Sequence, residues 1–308
     1  MTLRPTPPRV AVLGPTASGK SAVAMAAARQ VSGVELVSVD AMQVYRRMDI
    51  GTAKPTPVER AEVRHHLIDI VDPGVEFTVA EFRAAAQTAL DDIARRDARP
   101  LLVAGTGLYH RVVIDDIELP GQWPDVRAEL DQDAERLGAP SLHARLAALD
   151  PVAAARMEPT NTRRVVRALE VCVGSGRAFS SFGPGLDVYP PTSVAQLGLR
   201  WPRTVVAQRI EHRVQTMIDA GLVGEVAALM ADPISRTARQ ALGYKEIIEH
   251  LEGRCTLDAA VAAIVTGTRQ LAVRQERWFR RDPRVRWIDI EADPVAEALP
   301  AVVDALAR

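Results

Sequence analysis

The 308-residue sequence predicts an α/β protein, with a parallel sheet that carries helices on both faces and is interrupted by an inserted all-α domain. Three observations predict this class. A glycine-rich turn near the N-terminus separates a short apolar run from an alanine-rich, helix-favouring run. Further apolar runs alternate with helical patterns up to residue 104, as in parallel sheets. Between residues 117 and 191 the helical patterns continue without a convincing strand.

Composition sets outer limits on the function. Hydrophobic residues make up 47% and charged residues 25%, which is typical of a soluble globular protein with a sizeable core. The net charge of −1 gives no general sign of a nucleic-acid partner, so any such surface has to be local. No apolar run reaches the ~18 residues that a membrane span needs. The proline-containing stretch Met1–Arg9 is expected to be a disordered lead-in rather than a signal peptide, which favours a cytoplasmic location.

The first strand and the first helix enclose the most informative motif. Val10–Leu13 is apolar and Ala22–Arg29 favours a helix; between them stands Gly14-Pro15-Thr16-Ala17-Ser18-Gly19-Lys20-Ser21. This order of strand, glycine loop and helix is typical of a P-loop, in which backbone N–H groups and a helix N-terminus hold phosphate oxygens. Lys20 would neutralise the terminal phosphate, and the Ser21 hydroxyl would coordinate Mg²⁺. The sequence therefore predicts a P-loop NTPase-like core that binds a diphosphate or polyphosphate.

The next strands bring further polar groups to the same edge of the sheet. The run Leu36–Asp40 is predicted to be a strand that ends in an acid, where parallel sheets place their ligands. Asp40 is then a metal-bound acid, a general base or a surface cap. The strand Leu101–Ala104 runs into Gly105-Thr106-Gly107 without a carboxylate, so the usual equipment for splitting ATP is missing.

Between these strands we expect a loop over Met42–Lys54, a short helix over Pro57–His66, and a longer helix opened by a capping box of Thr78 and Glu81. His65 and His66 are adjacent and point to different faces, which indicates hydrogen bonding rather than metal binding. Cys172 and Cys255 lack metal-ligand spacing and are expected to be small buried hydrophobes.

The rest of the chain divides into a helical insertion and a second half of the core, giving predicted domains 1–116, 117–191 and 192–308. The expected insertion helices are Pro124–Leu137, Ser141–Leu149, one capped by Asp150 and begun by Pro151, and Thr162–Val173 ended by Gly174. The expected core elements are the strand Val194–Leu199, the helices Thr204–Ala220 and Val223–Ala231, a long final helix Leu257–Arg281 and a last strand Val285–Ile290.

Arginines mark three of these helices. The run Arg163–Arg167 opens one of them, and Arg209 and Arg213 share one face of another; each is either a solvated surface or a set of forked phosphate contacts. On the long final helix five arginines fall within an arc of about 140°, opposite an apolar face, with only Glu276 and Asp282 as nearby acids. These five are Arg269, Arg274, Arg277, Arg280 and Arg281. A helix of this kind is typical of contact with a phosphate backbone.

Taken together, the motifs resemble the tRNA dimethylallyltransferase family over nearly the whole chain. Beyond the P-loop, the matching pieces are Asp40-Ala41-Met42-Gln43-Val44-Tyr45-Arg46, Asp49-Ile50-Gly51-Thr52-Ala53-Lys54-Pro55, His65-His66-Leu67-Ile68-Asp69, Gly105-Thr106-Gly107-Leu108-Tyr109, Arg167-Ala168-Leu169-Glu170-Val171, Gln240-Ala241-Leu242-Gly243-Tyr244-Lys245-Glu246, and Thr268-Arg269-Gln270 with Arg274-Gln275 and Trp278-Phe279. The second and sixth of these are the most specific.

The resemblance implies an activity and roles for individual residues. A dimethylallyl group passes from its diphosphate to N6 of adenine 37 in tRNAs that read codons beginning with U, and the helical insertion clasps the anticodon stem-loop. Asp40 is implied to be the base, and Lys20, Thr16 and Mg²⁺ to stabilise the leaving diphosphate, with Arg209 or Arg213 as further contacts. The tRNA contacts implied in this way are Asp40, Ala41, Met42, Gln43, Thr106, Arg163, Arg164, Val165, Val166 and Arg167, to which we add Arg127, Gln240, Lys245, Arg269 and Arg274. We expect a monomer.

The sequence departs from the family pattern at three positions: Ala41 stands where Ser is usual, Ala104 where Gly is common, and Val273 where many members have Lys. The last departure weakens one expected phosphate contact. Two other functions stay open at this point. A small-molecule or nucleoside kinase would use the same loop for ATP, and a non-catalytic RNA-binding P-loop protein would not need Asp40.

Overall fold

The computed structural model describes residues 10–115, 117, 119–183 and 185–307, so the predicted lead-in Met1–Arg9 lies outside the described residues. The chain forms two compact units. The larger unit comprises Met1–Asp115 and Pro191–Arg308, and the smaller unit comprises Asp116–Pro190. No helix in the described ranges combines the length and the apolar character that crossing a bilayer requires.

The larger unit is built on a six-stranded sheet in the order β3-β2-β4-β1-β5-β6, with every pair parallel. Its strands are β1 (Val10–Leu13), β2 (Val34–Val39), β3 (His65–His66), β4 (Arg99–Ala104), β5 (Ala195–Arg200) and β6 (Val285–Asp289). The central strand β1 pairs with β4 on one side and with β5 on the other, so its four residues are completely buried. The predicted parallel sheet is confirmed.

Helices cover both faces of this sheet, as predicted. They are α1 (Lys20–Gln30), α2 (Pro57–Glu62), α3 (Val79–Arg95), α4 (Gly107–Ile114), α9 (Arg203–Asp219), α10 (Leu222–Leu229), α11 (Arg236–Arg239), α12 (Tyr244–Leu251), α13 (Leu257–Arg280) and α14 (Pro294–Ala307). Alternate residues of a strand face opposite sides. Val10 and Val12 accordingly join the core under α1 and α14, while Ala11 and Leu13 join the core under α3, α9 and α13.

The smaller unit contains α5 (Pro124–Leu137), α6 (Ala139–Leu149), α7 (Pro151–Ala155) and α8 (Thr162–Ser175). Its described residues include no strand. Leu130, Leu146 and Leu169, from three of these helices, meet in one buried core. The predicted Asp150 cap is confirmed, since its carboxylate accepts a hydrogen bond from the Ala153 N–H and Pro151 begins α7.

Two predicted helix ends are wrong for different reasons. The helix predicted over Pro57–His66 ends at Glu62, because His65 and His66 pair with β2 as the edge strand β3. The predicted stop at Gly174 is also wrong. α8 continues to Ser175 and is capped by Gly176 in the left-handed region (φ 69°), while a Cβ on Gly174 would lie 2.2 Å from the Trp123 ring. Gly174 therefore serves close packing rather than termination.

The last third of the chain contains helices that the pattern did not predict. These are α11, α12 and α14, so α13 is not the final helix. α14 buries Ala298, Val302 and Leu306, which are spaced four residues apart and pack with α1. An internal proline, Pro300, obscured this periodicity in the sequence.

Candidate active site

Three loops meet at the carboxyl edge of the sheet. The P-loop follows β1, Asp40 follows β2, and Gly105-Thr106 follows β4, which lies between those two strands. Because all the strands are parallel, these ends lie on one side of the sheet, where α/β proteins place their ligands. The local hydrophobic runs set the strand ends, and the strand order brings the loops together.

The P-loop is held by its carbonyl groups. The carbonyl oxygens of Pro15, Ala17 and Ser18 accept hydrogen bonds from Lys20 Nζ (2.7 Å), Arg209 Nε (2.7 Å) and Trp201 Nε1 (3.0 Å), respectively. Positive φ angles at Ala17 (61°) and Gly19 (91°) form the turn. α1 then begins at Lys20, and no side chain caps its first N–H groups. An uncapped helix N-terminus attracts an anion.

Cationic side chains surround this loop. Burial, and then the neighbouring Arg213, lower the pKa of Lys20 to about 7, while Asp40 opposes this shift. Burial also lowers the pKa of Arg213, against the opposing effect of Asp40. The Arg209 guanidinium lies over the Trp201 ring, 4.6 Å from its centroid. Arg209 and Arg213 therefore face the P-loop side of α9, as the forked-contact alternative requires, and the concentration of positive charge favours an anionic ligand.

Asp40 lies opposite this cationic loop. Its Oδ1 accepts hydrogen bonds from the backbone N–H groups of Met42 (2.8 Å) and Gln43 (3.3 Å). A Cβ built on Gly105 would lie 3.7 Å from Asp40 Oδ2 and 3.9 Å from Lys20 Cε. The predicted base and the predicted phosphate ligand therefore approach the same small residue. Thr106 contributes Oγ1, which accepts a hydrogen bond from the Ala41 N–H (3.3 Å).

The sequence reasoning missed two residues that hold the site together. Gln275 Oε1 accepts a hydrogen bond from the Thr16 N–H (2.8 Å), and its Nε2 donates to the Gly105 carbonyl (2.9 Å). Gln275 therefore links the P-loop to the end of β4. Its position on the face of α13 away from the arginines was the available signal. Trp201 carried no such signal, because its partner Ser18 is 183 residues away.

The predicted RNA-binding residues of the larger unit have different surroundings. Gln240, Lys245, the four arginines of α13 from Arg269 to Arg280, and Arg281 just beyond the helix are exposed. The acids near those arginines are more numerous than the sequence suggested, because Glu211 on α9 pairs with Arg269 in addition to the Glu276–Arg280 pair. The Gln43 carboxamide, in contrast, bonds to three partners within the protein.

In the smaller unit two of the predicted RNA contacts surround a buried acid. Glu170 is 3% exposed, accepts a hydrogen bond from the Trp123 N–H and pairs with Arg167 Nη1 (2.7 Å) and Arg127 Nη1 (3.7 Å). Arg167 also donates to the carbonyls of Pro120 and Gly121. Arg127 and Arg167 therefore supply counter-charge to Glu170.

The expectation for the apolar pair between these arginines needs correction. The side chains of Val165 and Val166 are completely buried in the core of α5, α6 and α8, because they lie on the inward face of α8. They are not available to touch RNA. Arg163 and Arg164 precede them on the same helix and are exposed, whereas Arg167 is half-buried beside Glu170.

The donor groups show which side chains could hold an ion. No cluster of three His, Cys, Asp or Glu side chains suited to an ion occurs in the described ranges. His66 Nε2 lies 2.6 Å from Glu35 Oε2, and His65 Nδ1 lies 2.7 Å from the Val63 carbonyl, so the predicted hydrogen-bonding role is confirmed. Ser21 is exposed at the start of α1, where its hydroxyl fits an ion that arrives with phosphate oxygens rather than one held by a protein cage.

The fold and the site define a P-loop protein. Its first strand runs into a glycine loop with cationic neighbours and an uncapped helix, and a carboxylate follows β2 at the same edge of the sheet. Comparison with known proteins places the chain more narrowly. Residues 43–282 match the model of the IPP transferase family, and the chain belongs to this family, the tRNA dimethylallyltransferases.

Individual relatives agree over nearly the full length. The tRNA dimethylallyltransferase of Streptomyces coelicolor is 47% identical over 291 residues, which cover 94% of this chain and 92% of that protein. That of Geobacter metallireducens is 48% identical over 284 residues, covering 91% and 92%. The crystal structure of the tRNA isopentenylpyrophosphate transferase from Bacillus halodurans superposes with a TM-score of 0.69 at 38% identity, covering 97% of this chain and 96% of that one.

Proposed function

We propose that this protein transfers a dimethylallyl group from dimethylallyl diphosphate to N6 of adenine 37 in tRNA, releasing diphosphate. The observation that carries the proposal is the approach of Asp40 and Lys20 to Gly105 from opposite loops. This arrangement provides a cationic cradle for a diphosphate and a carboxylate on its far side. Family membership and the names of the relatives support the same reaction. The cytoplasm, where tRNA is modified, is the proposed location.

The chemistry explains why a base is needed. The lone pair of the exocyclic amine is delocalised into the adenine ring, so N6 is a poor nucleophile. As N6 bonds to C1 of the dimethylallyl group, the C1–O bond breaks and its electron pair leaves with the diphosphate. The N6 proton passes to the carboxylate of Asp40, which requires the base to be flipped out of the anticodon stack.

The P-loop side stabilises the leaving group. Lys20, Arg209, Arg213 and the N–H groups at the start of α1 would interact more strongly as negative charge develops on the diphosphate. Thr16 adds its hydroxyl next to the backbone N–H that Gln275 holds. Ser21 would hold Mg²⁺ together with diphosphate oxygens, and the ion would supply further charge neutralisation when bound.

RNA recognition is assigned to exposed cationic and polar groups. On the larger unit these are Gln240, Lys245 and the arginines of α13, including Arg269 and Arg274; on the smaller unit they are Arg163 and Arg164. Such groups contact phosphates and fix the register of an RNA without reading its sequence. The smaller unit is proposed to clasp the anticodon stem-loop, and the enzyme to act as a monomer.

One assay separates this function from the kinase alternative. The purified protein is incubated with radiolabelled dimethylallyl diphosphate and an anticodon stem-loop that carries adenines at positions 36, 37 and 38, with ATP as the control substrate. We expect label in the RNA and no ATP turnover, because β4 runs into Gly105-Thr106-Gly107 without the carboxylate that hydrolases use. ATP turnover without label in the RNA would support the kinase instead.

A further inference from the structure

Both ends of the Gln43 carboxamide are hydrogen-bonded within the protein, which points to a role other than RNA contact. We propose that Gln43 is a positioning residue that fixes the carboxylate of Asp40, leaving Oδ2 of that acid as the atom that accepts the proton. The inference rests on the proposed function, in which Asp40 is the base. It goes beyond that function because it assigns the role of a second residue and a single reactive oxygen.

The Gln43 carboxamide is used on both of its ends. Its Oε1 accepts a hydrogen bond from Ser38 Oγ (2.6 Å), and its Nε2 donates to the carbonyls of Thr52 (3.1 Å) and Ala53 (3.2 Å). A glutamine side chain has two N–H groups to donate, so both have partners. A hydrogen bond to a base edge would require one of these contacts to break, and Ser38 is buried where water cannot easily replace it.

The backbone of Gln43 connects this brace to Asp40. The N–H groups of Met42 and Gln43 both point at Asp40 Oδ1, at 2.8 and 3.3 Å. The Gln43 carbonyl accepts a hydrogen bond from the Asp69 N–H (3.2 Å), so this residue is held through its side chain and both of its backbone groups. Oδ1 is therefore committed to two donors, whereas Oδ2 is the oxygen that lies 3.7 Å from a Cβ built on Gly105.

The loop against which Gln43 is braced is itself fixed by charges. Lys54 is buried, and its Nζ donates to the Tyr45 carbonyl (2.5 Å), Asp49 Oδ1 (2.7 Å) and Asp69 Oδ1 (2.5 Å). Glu225 accepts hydrogen bonds from three successive backbone N–H groups, those of residues 49, 50 and 51. The carbonyls of Thr52 and Ala53 lie between these two anchors. Gln43 thus connects Asp40 to a loop whose position is fixed.

Gln43 is therefore expected to matter for the position of the Asp40 carboxylate rather than for RNA affinity. A carboxylate that abstracts a proton has to lie within hydrogen-bond reach of it, and a displacement of about 1 Å can reduce a rate by about 100-fold. Replacing Gln43 with leucine keeps most of the volume and removes all three side-chain hydrogen bonds. The turn that holds Oδ1 then loses its brace, while the exposed cationic groups that bind RNA are unchanged.

A double-mutant cycle tests this proposal. Single-turnover prenyl transfer to the stem-loop, RNA affinity and thermal unfolding are measured for the unmodified protein, Gln43→Leu, Asp40→Asn and the double variant. We expect Gln43→Leu to slow transfer at least tenfold with RNA affinity and the KM for dimethylallyl diphosphate changed by less than twofold. In the Asp40→Asn background the same substitution should change the rate by less than twofold, because the group it positions is gone. Gln87→Leu is the matched control, since Gln87 is an exposed glutamine whose side chain donates a hydrogen bond to Asp91.

A milder variant keeps the test valid if Gln43→Leu folds poorly. Ser38→Ala removes one of the three hydrogen bonds of the brace, and we expect it to slow transfer about threefold, again only when Asp40 is present. Equal losses in both backgrounds, or weaker RNA binding at an unchanged rate, would overturn the positioning role. Failure of the unmodified protein to transfer the prenyl group would instead overturn the proposed function, so the two failures are distinguishable.

Discussion

The loops that follow β1 and β2 lie at the same edge of the sheet and are held by different sets of contacts. In the P-loop, side-chain donors bind the backbone carbonyls of Pro15, Ala17 and Ser18, and α1 begins without a side-chain cap. In the loop over residues 40–54, carboxylates bind the backbone N–H groups: Asp40 binds two of them and Glu225 binds three. Side-chain donors therefore make most of these contacts to the P-loop backbone, where Gln275 also accepts a hydrogen bond from the Thr16 N–H. In the second loop carboxylates hold five backbone N–H groups, while Gln43 and Lys54 bind backbone carbonyls.

The two loops also differ in their charge balance. The first loop gathers Lys20, Arg209 and Arg213 beside an uncapped helix N-terminus, which leaves positive potential for a ligand to neutralise. The second loop neutralises its own buried cation, because Lys54 is paired with Asp49 and Asp69. Under the proposed function, an anionic ligand would neutralise the first loop, whereas the second loop would position Asp40.

Changing the acid that the second loop presents should have the largest effect. We expect Asp40→Asn to slow single-turnover transfer by about 1,000-fold, because general-base catalysis typically contributes 10²- to 10⁴-fold. RNA affinity should change less than twofold. Asp72→Asn is the control, since Asp72 is an exposed acid paired with Arg46. Equal losses of rate and RNA affinity would show that Asp40 binds RNA rather than acting as a base.

Replacing Lys54 tests whether its buried charge stabilises the loop over residues 40–54. The Lys54 side chain is 1% exposed, and Lys54→Met leaves the carboxylates of Asp49 and Asp69 without it. We expect the free energy of unfolding in urea to fall by about 3 kcal/mol, because methionine at this buried position makes none of the three hydrogen bonds of the ammonium group. Arg47→Met breaks the exposed pair with Asp232 and should cost less than about 1 kcal/mol. Similar losses for the two variants would refute the distinction.

Removing the hydrogen bonds that link the P-loop to the end of β4 should weaken diphosphate binding without affecting RNA binding. Gln275→Leu removes the partner of the Thr16 N–H and of the Gly105 carbonyl. We expect the KM for dimethylallyl diphosphate to rise about tenfold, which corresponds to about 1.4 kcal/mol, with RNA affinity unchanged. Gln215→Leu, at an exposed position on α9, provides the matched comparison. An unchanged KM would mean that the P-loop does not need this link.

The pH dependence of anion binding should give the smallest effect. Since the pKa of Lys20 is lowered to about 7, the ammonium group loses its proton as pH rises above that value. An anion binds the charged form better, so the dissociation constant for pyrophosphate should rise with pH. The Lys20→Arg variant stays charged over this range, so dividing by its dissociation constant removes the effect of pyrophosphate ionisation. We expect the ratio of the two dissociation constants, unmodified protein over variant, to rise about fivefold between pH 7 and pH 8. A constant ratio, measured by calorimetry, would contradict the lowered pKa.

Features that depend on neighbouring residues were predictable from the sequence. The P-loop is one contiguous motif whose glycines, lysine and serine act together, and Asp40 stands at the end of an apolar run. The capping groups Thr78 and Asp150 bind N–H groups three residues away, so the chain beside them carries the whole signal. Helical spacing likewise placed the arginines of α13 on an exposed face.

Only the tertiary structure decided which distant groups meet. Gln275 reaches Thr16 across 259 residues, and Gln43 is enclosed by a loop that Glu225 fixes from another helix. His65 and His66 form a strand because β2 lies alongside them, and Val165 and Val166 are buried because α5 and α6 pack on α8. Local patterns determine the elements and the chemistry that each can offer. The partners of a side chain depend instead on which surfaces the folded chain buries together, and no spacing along the sequence specifies them.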